Sequence, residues 1–312
     1  MALNVAFQMD PVESLNPAGD STLVLGIEAT KRGHKLWYYT PDKLSMCDGQ
    51  IVARGFPVKF YDDATNYYEL GDEEVIDLRD MDVVWLRQDP PFDMTYLTTT
   101  YILEQLSDDV LVVNDPASVR NLPEKLFPTL LSQYMPPTLV SADPAAIDHF
   151  RQQHHDIIIK PLYGYGGRSI FRIKQDDDNL HALLEHFFAS SKEPLVVQRF
   201  VPEIADGDRR IILVDDKVAG CMGRMPAEGE IRANLRVGAS AAKRELTAEQ
   251  KALCDVLGPE LKKYGLVFTG LDMIGDYLIE INITSPTGLV QMNELYGLSI
   301  ESDIWDAVEA RL

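Results

Sequence analysis

A lysine followed by a glycine-rich loop is the first group of residues in the sequence that could bind a nucleotide. Lys160 leaves the apolar run Ile157–Ile159, and Gly164, Gly166 and Gly167 follow it closely. The lysine offers a positive charge to a phosphate, and glycines let backbone N–H groups close around phosphate oxygens. No G-K-[ST] sequence follows, so this is not a Walker A motif. By itself the loop is consistent with either a nucleotide site or a structural hairpin.

Two apolar strands near the C-terminal end carry side chains that could hold a divalent cation. Asp272 lies in the first strand, whereas Glu280 and Asn282 lie two residues apart in the second and so share a face. Carboxylates are unexpected in such apolar strands, and Mg²⁺ bound to a polyphosphate is usually held by one or two of them. Buried, salt-bridged acids would give the same pattern.

The register of these two strands decides whether the two carboxylates can act together. A two-residue turn at 275–276 would pair Asp272 with Ile279 and would send the carboxylates to opposite faces. We therefore expect an odd connection, such as residues 275–277, together with a β-bulge. That arrangement would place Asp272 directly opposite Glu280.

Other residues could bind the anionic ends of a substrate. Arg210, Arg224 and Arg232 lie on or beside β-rich stretches, and arginine suits bidentate recognition of carboxylates, although each one alone is also typical of a surface charge. The segment 282–288 leads into a helix whose N-terminus would either accept an anion or be simply capped. Asp208 is consistent with a turn acid or with an acceptor for a ribose hydroxyl.

The elements that must position these residues fall into three groups. Apolar strands near 3–7, 36–39, 83–86 and 110–113 alternate with helices at 21–31 and 95–106, which predicts a doubly wound parallel sheet. Residues 124–200 predict a small α+β lobe. From 208 onward the pattern predicts antiparallel strands, a helix capped by Thr247 and Gln250, and a final helix to Leu312.

Composition excludes several classes of function. The 312 residues predict two or three lobes, and the formal charge of −20 opposes binding to nucleic acid or to anionic lipid. No apolar run approaches membrane-spanning length, and the first residues lack the features of a signal peptide. Cys47, Cys221 and Cys254 are too far apart for a disulfide framework or a zinc site, so we expect a cytoplasmic protein.

Taken in order, four motifs resemble the ATP-grasp superfamily and, within it, the prokaryotic glutathione synthetases. They are K-P-x-x-G-x-G-G-x-S from Lys160, D-G-D-x-R from Asp206, G-L-D-x-I-G-D from Gly270 and E-I-N-x-T-S-P-T from Glu280. The resemblance implies an N-terminal doubly wound parallel-sheet domain (1–122), a central lid domain (123–201) and a C-terminal antiparallel-sheet domain (202–312). ATP would lie between the last two domains.

The resemblance also implies a role for each matching residue. The residues implied to bind ATP are Lys125, Lys160, Gly164, Gly166, Gly167, Ser169, Gln198, Arg199, Phe200, Val201 and Asp208. Those implied to hold Mg²⁺, for which Mn²⁺ could substitute, are Asp272, Glu280 and Asn282. Those implied to bind substrate are Arg87, Arg210, Arg224, Arg232, Ser285 and Thr287, with Arg210, Arg232 and Lys160 in catalytic roles.

The implied reaction joins γ-Glu-Cys to glycine through an acyl phosphate, with ATP as co-substrate, in a homotetramer. Residues 227–243 resemble a mobile loop that closes over the intermediate, although only Gly238 remains where the family commonly has paired glycines. Two alternatives stay open. One is another ATP-grasp ligase, such as an amino-acid ligase or a ribosomal-protein glutamate ligase, and the other is a nucleotide-binding scaffold without turnover.

Overall fold

The computed structural model describes residues 2–106 and 109–312, and three β-sheets organise this part of the chain. Met1, Ser107 and Asp108, which belong to the predicted first domain, lie outside the described residues. Each sheet falls within one of the three predicted domains, whose boundaries we keep as a proposal. Within the described ranges, no helix is both long and apolar enough to cross a membrane.

The N-terminal lobe contains a mixed sheet with helices against it. Its elements are β1 (Asn4–Met9), α1 (Ser21–Lys31), β2 (Lys35–Tyr39), β3 (Leu44–Cys47), β4 (Gln50–Phe60), β5 (Tyr68–Leu70), β6 (Glu74–Asp77), β7 (Val83–Arg87), α2 (Met94–Glu104), β8 (Leu111–Val113) and α3 (Pro116–Asn121). The order is β3-β4-β2-β1-β7-β8, and β5 and β6 also pair with β4. Strands β2, β1, β7 and β8 are parallel, as predicted.

The antiparallel strands β3 to β6 were not predicted. Strand β4 does alternate, since Ile51, Ala53, Val58 and Phe60 are buried. The alternation is interrupted by Gly55 and Pro57, and in a sequence both residue types argue against a strand. Gly55 is tolerated here because the backbone of β2 approaches closely: a Cβ at this position would lie 2.4 Å from the carbonyl oxygen of Tyr38.

The other two lobes contain one antiparallel sheet each. The central lobe comprises β9 (Thr138–Ser141), α4 (Pro144–His154), β10 (Ile157–Pro161), β11 (Phe171–Ile173), α5 (Leu180–Ser190) and β12 (Leu195–Arg199), in the sheet order β11-β10-β12-β9. The C-terminal lobe comprises β13 (Asp208–Val214), β14 (Lys217–Met225), β15 (Ser240–Lys243), α6 (Ala248–Lys263), β16 (Phe268–Ile274), β17 (Tyr277–Asn282), α7 (Leu289–Tyr296) and α8 (Ile300–Glu309), in the sheet order β15-β14-β13-β16-β17.

The register of β16 and β17 brings the two carboxylates together as predicted, but the connection between the strands differs from the predicted one. Asp272 lies directly opposite Glu280, as predicted. The predicted three-residue connection was wrong, because Ile274 pairs with Tyr277 across a two-residue turn. The β-bulge alone supplies the extra residue, Ile279, and both Ile279 and Glu280 line the same cleft.

The predicted capping box of α6 is confirmed, since Thr247 and Gln250 exchange side-chain and backbone hydrogen bonds. The predicted single final helix was wrong. It is divided into α7 and α8 at Gly297, whose φ of +68° ends α7 in a left-handed conformation.

Two contacts attach the N-terminal lobe to the C-terminal lobe. The buried amide of Asn114 donates to the carbonyl oxygens of Phe268 and Ile283 (2.7 and 2.9 Å) and accepts from the N–H groups of Val267 and Phe268. All four hydrogen-bonding positions of the side chain are therefore used. The indole of Trp305, on α8, is fully buried and donates to the carbonyl oxygen of Leu25 in α1.

His34 attaches the last helix to the first strand. Its Nδ1 accepts from the N–H of Leu3 at 3.3 Å, and its Nε2 lies 3.0 Å from Glu309 Oε1. Burial lowers the pKa of His34 below its ordinary value, although Glu309 opposes the shift. On acidification the unfolded chain therefore takes up a proton before the folded one does, which weakens the fold.

We predict that the stabilising contribution of neutral His34 is present above about pH 6.5 and is lost as the pH falls below that value. His34→Gln should reduce the loss of melting temperature between pH 7.5 and 5.5, because Gln does not titrate. His149→Gln, at an exposed position of α4, is the matched control and should keep the wild-type pH dependence. Equal losses in all three proteins would contradict the assignment.

Candidate active site

A cleft between the central and C-terminal sheets brings together most of the predicted site residues. Strand β10 alternates across its sheet, so that Ile157 and Ile159 face the core while Ile158 and Lys160 face the cleft. The predicted residues in the cleft wall are Lys125, Lys160, Gly164, Gly166, Gly167, Gln198, Arg199, Phe200, Val201, Asp208, Arg210, Arg224, Arg232, Asp272, Glu280, Asn282, Ser285 and Thr287. Arg87 and Ser169 do not line it.

A buried network of arginines and aspartates crosses the floor of the cleft. Arg210 holds Asp272 through two hydrogen bonds of 2.6 and 3.0 Å, and Arg224 holds Asp208 through two of 2.8 and 2.5 Å. Arg224 also lies 2.9 Å from Asp272. Burial alone would raise the pKa of Asp272, but the two guanidinium groups outweigh it and hold the pKa well below its usual range. Asp272 is therefore ionised at neutral pH.

The oxygen donors of the predicted cation site lie on neighbouring strands. Glu280 is opposite Asp272, and its Oε2 lies 3.4 Å from Lys125 Nζ. The amide nitrogen of Asn282 donates to the carbonyl oxygen of Gly270, which leaves its side-chain oxygen available. In the described part of the chain, no cluster of three His, Cys, Asp or Glu residues could enclose a metal alone. Two carboxylates and an amide oxygen fit Mg²⁺ that also binds substrate phosphates.

Two lysines bring positive charge to the same region. Lys160 is buried, and burial lowers its pKa to about 8 against the opposing effect of Glu280. Lys125 donates from Nζ to the carbonyl oxygen of Gly164 at 2.5 Å and so supports the glycine loop. Burial would lower the pKa of Lys125, but Glu280 and Glu124 outweigh it and raise the pKa. Both lysines are thus placed to meet an anion in the cleft.

Residues 231–236 cover the cleft and pack directly on the glycine loop. We call this segment the lid; it is separate from the central lid domain (123–201). Arg232 Nη1 donates to the carbonyl oxygen of Gly167 at 3.0 Å. A Cβ on Gly167, whose φ is +76°, would lie 2.6 Å from Asn234 Oδ1. Glycine is required at 167 both by its backbone conformation and by the lid above it. The predicted mobility of residues 227–243 stays a prediction.

Arg87 lies behind the cleft, at the end of β7. Its Nε donates to Thr22 Oγ1 and its Nη2 to the carbonyl oxygen of Pro286, each at 3.0 Å. Its Nη1 is buried and has no hydrogen-bond partner among the described residues. Burial lowers the pKa of Arg87, and Asp20 and Asp89 oppose the shift.

Several residues in the cleft wall were given no role by the sequence, and Asp89, Glu124 and Arg236 are among them. Glu124 Oε1 accepts hydrogen bonds from the N–H groups of Ile283 and Thr284 and from the Thr284 hydroxyl. Glu124 and Asp89 lie beside Lys125 and Arg87, so adjacency to predicted site residues was a usable signal. Arg236 had no such signal, because only the folded lid brings it to the cleft.

Two solved structures illustrate what this fold is similar to. The D-cycloserine synthetase DcsG superposes with a TM-score of 0.67 at 15% identity, covering 98% of this chain and 99% of its own. The ATP-grasp ligase PsnB, solved with a phosphomimetic variant of its minimal precursor, Mg and ADP, superposes with a TM-score of 0.62 at 16% identity, covering 99% and 98%. The chain therefore shares the fold of this ATP-grasp ligase, and a family model of an ATP-grasp domain that matches residues 124–297 confirms the predicted fold class.

Two family models place the chain more narrowly. The N-terminal domain of prokaryotic glutathione synthetase matches residues 3–120, and its ATP-grasp domain matches residues 124–297. The glutathione synthetase of Mesorhizobium japonicum is 47% identical over 311 residues, covering 100% of this chain and 99% of that protein. The chain belongs to the prokaryotic glutathione synthetase family, as its motifs predicted.

The packing of the lid on Gly167 can be tested with a matched pair of glycine substitutions. Gly167→Ala should lower ATP-dependent phosphate release about tenfold or more, because the new Cβ displaces the lid and the loop. Gly33→Ala is the control: Gly33 has a φ of +80° but no atom within 4 Å of its added Cβ, so it carries the same backbone strain without the clash.

The double variant Gly167→Ala/Asn234→Ala removes the two shortest contacts and keeps only the one of 3.2 Å to the Cβ of residue 234, so it should recover part of the lost rate. Loss of activity in Gly33→Ala equal to that in Gly167→Ala, at unchanged melting temperature, would contradict the role of the packing.

Proposed function

We propose that this chain catalyses the ATP-dependent joining of γ-glutamylcysteine and glycine to give glutathione, ADP and phosphate. Family membership over the whole chain supports an ATP-dependent ligase. The observation that carries the proposal is the cleft itself. It gathers the glycine loop, two buried lysines and the group formed by Asp272, Glu280 and Asn282 around one space.

The chemical problem is the poor reactivity of a carboxylate toward an amine. At neutral pH attack by glycine would have to expel oxide, which is not a usable leaving group. Transfer of the γ-phosphoryl group of ATP to the cysteinyl carboxylate gives an acyl phosphate, from which phosphate can leave. Phosphoryl transfer asks for positioning and charge stabilisation rather than covalent catalysis by the protein.

The nucleotide would be held by residues of both sheets. The phosphates would be bound by Lys125, Lys160 and the N–H groups of Gly164, Gly166, Gly167 and Ser169. Adenine would contact backbone groups of Gln198, Arg199, Phe200 and Val201. A ribose hydroxyl would donate a hydrogen bond to Asp208. Lys160 is the strongest candidate to bind the transferred phosphoryl group, because its buried ammonium has no hydrogen bond or ion pair within the described part of the chain.

Glu280 and Asn282, with Asp272 beside them, would hold Mg²⁺. When bound, Mg²⁺ supplies charge neutralisation at the phosphoryl oxygens. Arg210 and Arg224 keep Asp272 ionised and oriented toward the cleft, which is the protein's own contribution to this site. Mn²⁺ as a substitute stays a prediction.

Substrate carboxylates would be bound by guanidinium groups together with the loop after β17. Arg232 comes from the lid, and Arg210 donates from Nη1 to the carbonyl oxygen of Thr287 at 3.1 Å, which fixes that loop. Ser285 and Thr287 would add hydroxyl groups. The buried, unpartnered Nη1 of Arg87 supports its role in binding a carboxylate from the N-terminal side. The lid would exclude water from the acyl phosphate.

The cytoplasmic location and the homotetramer also remain proposals based on the family resemblance. The competing ATP-grasp ligases would share the residues for ATP and Mg²⁺ but would differ in the substrate they accept. A scaffold without turnover would bind ATP and form no product.

A direct assay separates these possibilities. Purified protein with ATP and Mg²⁺ should release phosphate only when γ-glutamylcysteine and glycine are both present. The amount of phosphate released should equal the amount of glutathione formed. Phosphate release with free amino acids or a glutamate-terminated peptide instead would favour another ligase. ATP binding without release under any condition would favour the scaffold.

Glu280→Gln tests the assignment of the cation site. The amide has nearly the same shape but no charge, so turnover should fall at least about a hundredfold, while the affinity for ATP should change much less. Glu294→Gln, at an exposed position of α7, is the matched control and should keep wild-type turnover. Near-normal turnover in Glu280→Gln would reject its role at the metal.

A further inference from the structure

Asp89, from the N-terminal lobe, places a carboxylate in the wall of the cleft. It follows β7 by two residues, and its N–H donates to Asp10 Oδ2 at 2.7 Å, which fixes its backbone. Its Oδ2 accepts from Arg236 Nη2 at 2.5 Å. Both Asp89 and Arg236 line the cleft. Within residues 2–106 and 109–312, the one cationic partner of this carboxylate therefore comes from the lid.

The other carboxylates in the cleft are committed to partners outside the lid. Asp272 and Asp208 are each held by two hydrogen bonds from an arginine of the same sheet. Glu124 accepts three hydrogen bonds from the loop after β17, and Glu280 lies beside Lys125. Among these groups, Asp89 alone would lose its counter-charge when the lid moves aside to admit a substrate.

The substrate of the proposed function needs such a group. γ-Glutamylcysteine carries an α-ammonium and an α-carboxylate on its glutamyl end and a second carboxylate that reacts. The arginines of the cleft suit the carboxylates, whereas the ammonium needs an anionic acceptor. We propose, on the basis of that function, that Asp89 binds the α-ammonium of the glutamyl residue and that Arg236 occupies the same carboxylate until the substrate replaces it.

The position of Arg87 supports this assignment. Arg87 lies two residues before Asp89, and its buried Nη1 has no partner among the described residues. A guanidinium and a carboxylate this close in the chain suit the two opposite charges of one α-amino-acid end. The glutamyl end would then lie against the N-terminal lobe, and the cysteinyl carboxylate would extend toward Lys160 and Glu280.

The test compares γ-glutamylcysteine with glutaryl-cysteine, which lacks only the α-ammonium, in the presence of ATP, Mg²⁺ and glycine. The wild-type protein should prefer γ-glutamylcysteine in kcat/KM by roughly 10- to 100-fold, the range for a charged hydrogen bond. Asp89→Asn should reduce that preference to about threefold or less, mainly through a higher KM for γ-glutamylcysteine. A preference retained at the wild-type value in Asp89→Asn would overturn the proposal.

Arg236→Gln distinguishes substrate binding from a purely structural latch between the lid and the N-terminal lobe. If Arg236 competes with the ammonium, its removal should lower KM for γ-glutamylcysteine, in the direction opposite to Asp89→Asn. If the ion pair only closes the lid, both variants should raise KM for both substrates alike, and the proposal fails. Should Asp89→Asn melt well below the wild type, the direction of the Arg236→Gln effect decides.

Failure of the proposed function gives a different result. In that case the wild-type protein itself would form no product from γ-glutamylcysteine. An active wild type in which Asp89→Asn keeps full discrimination would leave the function intact and reject only the role of Asp89.

Discussion

The structure depends on keeping buried charges paired in register across the C-terminal sheet. Arg224 on β14 is opposite Asp208 on β13, Arg210 on β13 is opposite Asp272 on β16, and Asp272 is opposite Glu280 on β17. Four neighbouring strands thus contribute one row of charged side chains to the cleft, and this row ends in the two acids Asp272 and Glu280. Removing one partner of a buried ion pair costs about 3–5 kcal/mol, because the remaining charge is left uncompensated. These side chains stay next to one another only while the registers of all three strand pairs are kept.

The bulge at Ile279 is what aligns the last member of this row. Side chains alternate along a strand, so a simple two-residue hairpin would direct Glu280 into the core formed by Leu278 and Ile281. The extra residue shifts the alternation once, and Glu280 then faces the cleft while Leu278 and Ile281 remain buried. A local irregularity in the hydrogen-bond ladder is therefore the feature that creates the acidic group.

The three lobes contribute to the cleft in unequal ways. The N-terminal lobe and helices α7 and α8 share one hydrophobic core that includes Trp85 and Trp305, whereas the central sheet has a core of its own. The loop after β7 is consequently held firmly relative to the charged row. The glycine loop reaches the cleft from the separate central core, and the lid contacts both through Gly167 and Asp89. Residues of all three lobes thus meet in the contacts around the lid.

The sequence by itself determined the nucleotide-type loop, the acidic strands, the helix at 21–31 and the family, because these depend on local spacing and on ordered motifs. It also indicated that Asp272 must oppose Glu280. Only the tertiary structure decided how, since a bulge and a longer turn change the register equally. The antiparallel strands at 44–77 and the pairing of Asp89 with Arg236 were equally beyond reach. Each depends on contacts between segments that are distant in the chain. A local sequence pattern does not indicate which distant backbone or side chain will contact a given segment.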